Sequence, residues 1–235
     1  MIQCSGRGKI VKESTVPNEV IITFTDEATA FHDIKRANVP GKGAVINAIS
    51  VKIFKLLETA GIKTHFIEKI SHCEQRCHLV KSIPINVVVR NVVSGSMAKR
   101  LGVEGGYVPD APVYELYYKN QELGNPLINT DHAICLGLAK EEELLVIHET
   151  ALAINDILKQ YFASIELQLV DFKIEFGRTK SGEIVLADEI SPDKSRLWDI
   201  STGDHLDKDH FSRDLGDVLV AYEQILTRMI TKEAL

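Results

Sequence analysis

The residues of this 235-residue chain that are best suited to chemistry lie between positions 169 and 199. From position 170 to 176, apolar and charged residues alternate strictly, which is the period-two pattern of a half-buried β-strand. This pattern puts three charged side chains on one face of a sheet: Asp171, Lys173 and Glu175. Two carboxylates with a lysine between them can bind a cation or neutralise one another as a solvated face, and the strand alone leaves both interpretations open.

A second strand is predicted over residues 183–189, after a Lys-Ser-Gly turn sequence at 180–182. If the turn has two residues, at 181–182, the pairing places Glu175 directly opposite Asp188. Like charges that face each other across a ladder are unfavourable, and a divalent cation between them is the simplest reason for their presence. We therefore predict a metal site formed by Glu175 and Asp188, with a solvated face as the alternative.

The loop after this hairpin adds charged groups. Pro192 cannot donate a hydrogen bond to a ladder, so the strand must end before it. The next residues offer carboxylates and basic groups: Asp193, Lys194, Arg196 and Asp199. Hard oxygen ligands beside basic side chains suit a metal-bound polyphosphate, because the cation bridges phosphate oxygens while the basic groups balance the remaining charge. This combination predicts a nucleotide site.

The composition fits a globular protein and argues against a nucleic-acid binder. The chain is 45% hydrophobic and 26% charged, enough for one large core or two modest ones. Its net charge of -6 differs from that of nucleic-acid-binding domains, which are normally basic. No apolar run approaches the ~20 residues that span a bilayer, and the N-terminus lacks the apolar segment of a signal peptide. We expect a cytoplasmic protein without a membrane or nucleic-acid partner.

Periodicity predicts the elements that must position these residues. The patterns favour strands at 20–24, 63–70, 77–83 and 113–120, irregular chain at 25–35, and helices at 43–60, 141–162 and 209–229. Pro84 interrupts the chain where it is expected to cross between two lobes. We place a domain boundary there, which gives an N-terminal lobe of residues 1–82 and a C-terminal lobe of residues 83–235.

Three further positions offer groups that can bind phosphate. Gly8 and Lys9 open the first predicted hairpin, where backbone N–H groups can approach a phosphate, although the Walker spacing is absent and an ordinary turn is the alternative. Arg90 precedes a Ser-Gly-Ser turn at 94–96, whose donors suit a monophosphate or a carboxylate, with a surface arginine as the alternative. Lys119, at the end of another predicted strand, either faces the same cleft or is simply exposed.

Four segments of the chain together resemble one family. They read LVDFKIEFG at 169–177, ADEISPDKSRLWD at 187–199, PINVVVRNVVSGS at 84–96 and DEATAF at 26–31. They occur in collinear order, and the chain is similar over nearly its whole length to the phosphoribosylaminoimidazole-succinocarboxamide synthases, the SAICAR synthetase family of purine biosynthesis. The resemblance implies an α+β fold with a small N-terminal antiparallel-sheet lobe, a larger C-terminal α+β lobe and an ATP cleft between them.

The resemblance also implies an activity. Members of the family join L-aspartate to the carboxylate of carboxyaminoimidazole ribonucleotide (CAIR), while ATP is converted to ADP and phosphate, with Mg²⁺ as cofactor. A carboxylate is a poor electrophile, so ATP must first convert it into a group that an amine can attack, most simply an acyl phosphate. The oligomeric state stays open, and a homodimer is one of the alternatives.

Roles for individual residues follow from the resemblance by position. Glu175 and Asp188 would hold Mg²⁺ as part of the ATP site. The other assignments are Gly8, Lys9 and Lys119 to ATP, Arg90, Ser96 and Arg196 to the ribonucleotide, and Asp171, Lys173 and Asp193 to the catalytic centre.

The chain departs from the family pattern at three positions. Val11 occupies the place of a second lysine near the N-terminus. Asn86 replaces a glutamate, which removes a carboxylate that we expect near the adenine side of the crossover. Asn125 replaces an aspartate, and because an amide cannot act as a base, we leave it out of the catalytic set.

Two other classes of protein share parts of this pattern. A small-molecule kinase would need no amine substrate and would release ADP without aspartate, but the chain has no catalytic loop of the protein-kinase type. A non-catalytic nucleotide-binding module would bind ATP without aspartate-dependent phosphate release. An assay in which each substrate is omitted in turn separates the three.

Overall fold

The computed structural model describes residues 2–6, 8–30, 35–206 and 218–234. A five-stranded sheet, ordered β1-β2-β3-β7-β6, contains β1 (Ile2–Gly6), β2 (Lys9–Glu13), β3 (Glu19–Phe24), β6 (Phe66–Lys69) and β7 (Glu74–His78). A six-stranded sheet contains β8 (Lys81–Arg90), β9 (Val113–Tyr118), β10 (Leu127–Ile128), β11 (Leu167–Arg178), β12 (Ile184–Ala187) and β13 (Ser195–Asp199). A two-stranded sheet pairs β4 (Glu27–Ala30) with β5 (Lys35–Asn38). The helices are α1 (Lys42–Thr59), α2 (Gly95–Leu101), α3 (Thr130–Cys135), α4 (Glu141–Ala163) and α5 (Val218–Glu233).

The α+β fold class predicted from the sequence is confirmed. The named strands pair antiparallel in all three sheets, and helices pack against the two larger ones. No helix among the described residues is long and apolar enough to cross a membrane.

Strand β3 and helix α1 form the core of the five-stranded sheet. β3 alternates between buried and half-buried residues, and Val20, Ile22 and Phe24 point inward. Helix α1 packs on β3, β6 and β7 and contributes the buried residues Ile49, Ile53, Phe54 and Leu57. The predictions of a strand at 20–24 and a helix at 43–60 are confirmed, and Gly61 follows the helix with the positive φ of 88° expected after a C-terminus.

Two predictions for the N-terminal half are wrong in part. Residues 25–35 were expected to be irregular, but Glu27–Ala30 forms β4, whose partner strand supplies an order that the sequence pattern does not show. The single strand predicted at 77–83 is divided between two sheets, because β7 ends at His78 and β8 begins at Lys81. β8 continues through Pro84, and its pairing with β11 shifts register there, which accommodates a residue without an N–H donor.

Strand β11 is the central strand of the six-stranded sheet. It pairs with β8 on one side, and with β12 and β13 on the other. Helix α4 packs against β11 through the buried residues Leu144, Ile147, Ala151, Ile154, Leu158 and Phe162, which confirms the helix predicted at 141–162. The charged face of β11 is also shielded from solvent, so the strand is not half-buried as the alternation suggested. Asp171 and Glu175 are only 4% and 6% exposed.

The hairpin between β11 and β12 has a different register from the predicted one. Its loop has three residues rather than two, because Gly182 N–H donates to the Thr179 carbonyl at 2.9 Å and Gly182 has φ 87°. Glu175 therefore pairs with Ala187, and the prediction that it lies directly opposite Asp188 is wrong. Continued alternation would direct Asp188 to the other face. Its left-handed φ of 66° instead lets its carboxylate reach the groups around Glu175.

The C-terminal helix returns to the N-terminal part of the chain. α5 packs against α1, where Lys52 and Glu233 form an ion pair and Tyr222, Ile225 and Met229 are buried. The helix predicted at 209–229 is confirmed from residue 218 onward, while residues 209–217 lie outside the described part. The domain boundary between residues 82 and 83 stays a prediction.

An ion pair between α4 and the end of β11 provides a pH-dependent test of how α4 packs against the six-stranded sheet. Arg178 donates from Nε to Glu143 Oε1 at 2.5 Å and from Nη2 to Oε2 at 2.7 Å. These hydrogen bonds lower the pKa of Glu143 to about 2. Because the pKa is lowered in the folded state, the pair stabilises the fold above the unfolded pKa of ~4.3 and stops doing so as the pH falls through the folded value.

Replacing Glu143 by Gln is expected to lower the free energy of unfolding at pH 7 by about 1 kcal/mol. Urea unfolding of both proteins between pH 7 and pH 3 measures this difference, which should shrink steadily below about pH 4.5. A difference that stays constant over this range would show that the Glu143 charge contributes nothing to stability.

Candidate active site

Three carboxylates meet at the end of the β11–β12 hairpin, and we call them the acidic cluster: Glu175, Asp188 and Glu189. Lys194 connects them, since its Nζ lies 2.8 Å from Asp188 Oδ2, 3.8 Å from Glu189 Oε1 and 3.9 Å from Glu175 Oε1. Glu189 is 4% exposed and was missed by the sequence analysis, which placed it inside a strand. Its position directly after Asp188 was the available signal.

Three lysines neutralise the acidic cluster. Lys9 forms ion pairs with Asp188 and Glu189, and Lys119 pairs with Glu175. Burial by itself would raise the pKa of Asp188, but the charges of Lys194 and Lys9 hold it well below its usual value. Burial likewise disfavours the charged form of Lys194, yet Asp188 and Glu175 raise its pKa. The structure thus brings together four residues predicted for ATP and metal, Lys9, Lys119, Glu175 and Asp188.

The oxygen atoms of this cluster suit a hard divalent cation. In the part of the chain that the structure describes, no group of three or more His, Cys, Asp or Glu side chains is arranged to hold a metal, and lysines lie between the carboxylates. Asn86 pairs directly with Glu175 across β8 and β11. Its expected place near the adenine side of the crossover stays a prediction. Its buried Oδ1 has no hydrogen-bond partner among the described residues. Carboxylate and amide oxygens are typical Mg²⁺ ligands, so the atom types of this donor set fit the cofactor that the family resemblance implies.

His65 contacts the backbone of the acidic cluster. Its Nε2 lies 2.9 Å from the carbonyl oxygen of Asp188, and the residue is only 3% exposed. Burial lowers the pKa of His65 to about 4, so the ring is neutral at physiological pH. His65 was not predicted from the sequence, because nothing local links it to a partner 123 positions away.

Asp193, whose side chain is 31% exposed, lies in a second group of polar side chains that joins distant parts of the chain. Lys42, at the start of α1, forms an ion pair with Asp193 and is 3% exposed. The Tyr222 hydroxyl on α5 donates to Asp193 Oδ1 at 2.7 Å. Burial by itself would raise the pKa of Asp193, but Lys42 and Tyr222 lower it. Lys42 was also missed, although a lysine between two glycines at a helix start was a usable signal.

Gly8 and Lys173 complete the set of predicted ATP and catalytic residues. Gly8 has φ 70°, and its carbonyl accepts from the Thr25 N–H at 2.9 Å. An added Cβ would lie at an ordinary contact distance of 3.4 Å from the Glu27 carbonyl oxygen, so the backbone conformation rather than the available space favours glycine. Lys173 lies between Asp171 and Glu175 on β11, and its backbone N–H donates to the Lys194 carbonyl at 2.8 Å.

A second cluster surrounds Arg90 on β8, and we call it the arginine cluster: Arg90, Arg100 and Arg196 with Glu115 and Asp171. Arg90 donates from Nε to Glu115 Oε2 at 2.7 Å and from Nη1 to Asp171 Oδ2 at 2.8 Å. Arg196 Nη1 donates to both oxygens of Asp171, at 2.8 and 3.0 Å, and Arg100 pairs with Glu115. The five side chains carry three positive and two negative charges, so the cluster has an excess positive charge suited to an anion.

The start of α2 closes the arginine cluster. Arg90 Nη2 donates to Ser96 Oγ at 3.2 Å and to the Tyr117 hydroxyl at 3.3 Å. Gly95 has φ 56°, and a Cβ there would lie 2.7 Å from Arg196 Nη2, which explains the Ser-Gly-Ser turn. The predicted ribonucleotide residues Arg90, Ser96 and Arg196 are therefore adjacent. Arg100 and Glu115 were missed, although a single acid within an otherwise apolar and aromatic strand was a signal.

Strand β11 connects the two clusters. Asp171 and Glu175 lie four positions apart on the same face of the strand, which corresponds to about 13 Å. Lys173 lies between them. One face of one strand thus carries residues of both the arginine cluster and the acidic cluster.

Comparisons with known proteins show that this chain is similar to one family over most of its length. The model of the SAICAR synthetase family matches residues 3–229. The phosphoribosylaminoimidazole-succinocarboxamide synthase of Clostridium beijerinckii is 50% identical over 224 residues, which cover 95% of both chains. The crystal structure of the Ehrlichia chaffeensis synthase has a TM-score of 0.95 at 40% identity and covers 97% of this chain and 98% of that one. A type-2 SAICAR synthetase in complex with ADP has a TM-score of 0.93 at 47% identity, with 96% of each chain covered.

Proposed function

Because the chain belongs to the SAICAR synthetase family, we propose that the acidic cluster and the arginine cluster are the two halves of one active site. The chain is an ATP-dependent ligase of purine biosynthesis that joins L-aspartate to CAIR, giving SAICAR, ADP and phosphate. The observation that supports the proposal is the shared face of β11, with Asp171 in one cluster and Glu175 in the other.

The acidic cluster is proposed to bind ATP with Mg²⁺. Glu175 and Asp188 would hold the cation. Glu189 lies beside them, and Asn86 is the cross-strand partner of Glu175. When bound, Mg²⁺ neutralises charge that develops on the phosphoryl group. Lys9, Lys119 and Lys194 pair with the same carboxylates and would exchange these partners for phosphate oxygens, which keeps the charges of the largely buried Lys9 and Lys194 compensated. Gly8, next to Lys9, would let the backbone approach the phosphates.

The arginine cluster is proposed to bind the phosphate of the ribonucleotide. Ser96 and the Nη2 atom of Arg90 lie together at the start of α2, beside Arg196. Asp171 accepts hydrogen bonds from both arginines, so we assign it to orient them. This placement favours an orienting role for Asp171 over proton transfer.

The reaction requires two successive nucleophilic displacements, one at phosphorus and one at carbon. A carboxylate oxygen of the ribonucleotide bonds to the γ-phosphorus of ATP, and the bond to the bridging oxygen breaks to release ADP. The aspartate amine then bonds to the acyl carbon, the carbon–oxygen bond to phosphate breaks, and the nitrogen loses its protons to solvent or to a base. Lys173 is proposed to stabilise the phosphoryl group, because it lies between the two clusters. Asp193, with Lys42 and Tyr222, is proposed to lie beside the reacting groups.

The omission of single substrates tests this function directly. We expect continuous release of ADP and phosphate only when ATP, CAIR and L-aspartate are all present. Without aspartate, at most one ADP per active site should form, together with a bound acyl phosphate. Sustained ADP release with a stable phosphorylated product in the absence of aspartate would instead indicate a kinase. ATP binding without aspartate-dependent phosphate release would indicate a non-catalytic module. The cytoplasmic location and the homodimer stay predictions.

Replacing Arg196 by Ala is expected to weaken ribonucleotide binding by roughly 10- to 150-fold, the equivalent of about 1.5–3 kcal/mol for a hydrogen bond to a charged group. ADP binding should change little, because Arg196 lies in the arginine cluster. Isothermal titration of both ligands measures the two effects. Arg76→Ala is the matched control, since this partly buried arginine pairs with Glu19 and Glu68 on the other sheet. Unchanged ribonucleotide affinity in the Arg196 variant would refute the assignment.

A further inference from the structure

His65 joins the N-terminal part of the chain to the acidic cluster. It lies between α1 and β6, outside the named strands. Its ring contacts Phe54 of α1 edge-on, with the ring centroids 5.5 Å apart, while its Nε2 is 2.9 Å from the carbonyl oxygen of Asp188. Because a carbonyl oxygen can only accept, Nε2 must be the donor in this hydrogen bond.

The backbone around His65 runs along β12. The His65 N–H donates to the Leu186 carbonyl at 2.8 Å, and the Leu186 N–H donates to the Lys63 carbonyl at 3.0 Å. Thr64 and Leu186 form a parallel bridge between these two bonds. The segment 63–65 thus lies beside β12, and the His65 side chain extends the contact to Asp188, two residues beyond Leu186.

Asp188 needs such a contact because of its backbone. Its φ of 66° is the left-handed conformation that non-glycine residues rarely adopt. Residues in this region persist only where surrounding contacts fix them. Without the left-handed conformation, the register of β12 would direct the Asp188 side chain to the opposite face, away from Glu175.

We propose that His65 is a positioning residue that holds Asp188 in the left-handed conformation and so directs its carboxylate to the cation. The inference rests on the proposed metal role of Asp188. It predicts that loss of the Nε2 donor weakens metal-dependent nucleotide binding. If His65 only filled space beside Phe54, its replacement would change stability alone. Outer-shell partners of metal ligands typically change metal affinity by about 10- to 100-fold when replaced.

The test compares His65→Gln with His65→Leu. The Gln amide nitrogen occupies nearly the place of Nε2 and can donate to the Asp188 carbonyl, whereas Leu fills space without a donor. ADP binding is titrated calorimetrically at a series of Mg²⁺ concentrations and in EDTA. We expect His65→Leu to raise the Mg²⁺ concentration for half-maximal enhancement of ADP binding by at least ~10-fold, with ADP affinity in EDTA unchanged. His65→Gln should stay within about threefold of the wild type, because the donor is kept.

Phe54→Leu is the matched control, because it alters the same buried contact without removing the donor. It should lower the melting temperature and leave the Mg²⁺ dependence unchanged. If His65→Leu does not fold, His65→Asn takes its place, since its amide is too short to reach the Asp188 carbonyl. A wild-type Mg²⁺ dependence that persists unchanged in the donor-free variant would overturn the inference. Wild-type ADP binding that is equal with Mg²⁺ and with EDTA would instead refute the proposed metal site.

Discussion

Replacing Glu175 by Gln is expected to reduce Mg²⁺-dependent ATP turnover by at least ~100-fold while the chain still folds, because charge neutralisation by a metal is worth several kcal/mol in phosphoryl transfer. The amide is nearly isosteric with the carboxylate and leaves the β8–β11–β12 pairing intact. Its loss of charge removes one anionic ligand from the acidic cluster. Steady-state turnover over a range of Mg²⁺ concentrations measures the effect.

The same variant should be slightly less stable without metal. Under the register predicted from sequence, Gln would relieve repulsion from Asp188 and raise the melting temperature. In the structure, Glu175 pairs with Lys119 and faces Ala187 across the ladder, so the substitution removes an attraction of about 1 kcal/mol at a partly exposed lysine. Urea unfolding of the metal-free protein shows whether the substitution lowers or raises the free energy of unfolding.

Glu183→Gln is the matched control for the hairpin. Glu183 lies on the same hairpin and pairs with Lys63, but it is well exposed and distant from the acidic cluster. Its replacement should leave turnover and Mg²⁺ dependence unchanged. A Glu175→Gln variant that is stable and fully active would show that Glu175 is not a ligand, and the metal site would then have to be sought around Glu189 and Asp193.

The hairpin shows where sequence reasoning succeeded and where it failed. Strict alternation identified β11 and the face that Asp171, Lys173 and Glu175 share, because side-chain direction in a strand follows from its period. The register depended on the turn, and a Lys-Ser-Gly sequence is compatible with loops of two or three residues. A slip of one residue moves every partner to the other face. The left-handed backbone of Asp188 partly compensates for this, so the residues chosen as metal ligands still lie together.

The missed residues have contacts that only the tertiary fold creates. Lys42 and Asp193 are 151 positions apart, and His65 and Asp188 are 123 apart. Periodicity predicts which face of an element is buried, but it does not predict which distant element covers that face. The burial of the charged face of β11 has the same origin, since lysines and arginines from other segments cover it. The long helices α1 and α4 were predicted well, because their apolar stripes are complete within one segment.

Replacing Arg90 by Ala is expected to lower the free energy of unfolding by about 3–5 kcal/mol, because removal of one partner from a buried ion pair leaves an uncompensated charge. Arg90 is 4% exposed and contacts two carboxylates, Glu115 and Asp171, which are 7% and 4% exposed. The assignment of Arg90 to the ribonucleotide from the sequence predicts weaker ribonucleotide binding for this variant but no loss of stability. Replacing Arg196 leaves Arg90 in place beside Asp171, so the Arg196 variant is the better probe of ribonucleotide affinity.

Urea unfolding at pH 7 measures this loss, and a second substitution isolates its cause. Glu115→Gln removes one of the two carboxylates that Arg90 compensates, so the double variant Arg90→Ala/Glu115→Gln should be more stable than the sum of the single effects predicts, by about 1–3 kcal/mol. Arg90→Lys keeps the charge but cannot reproduce hydrogen bonds from a guanidinium to two acids, and it should fall between the wild type and Arg90→Ala. A loss below about 1 kcal/mol for Arg90→Ala, with additive effects in the double variant, would mean that water reaches these carboxylates once the arginine is gone. In that case Arg90 would act mainly on the ribonucleotide, and its effect on affinity should equal or exceed that of Arg196.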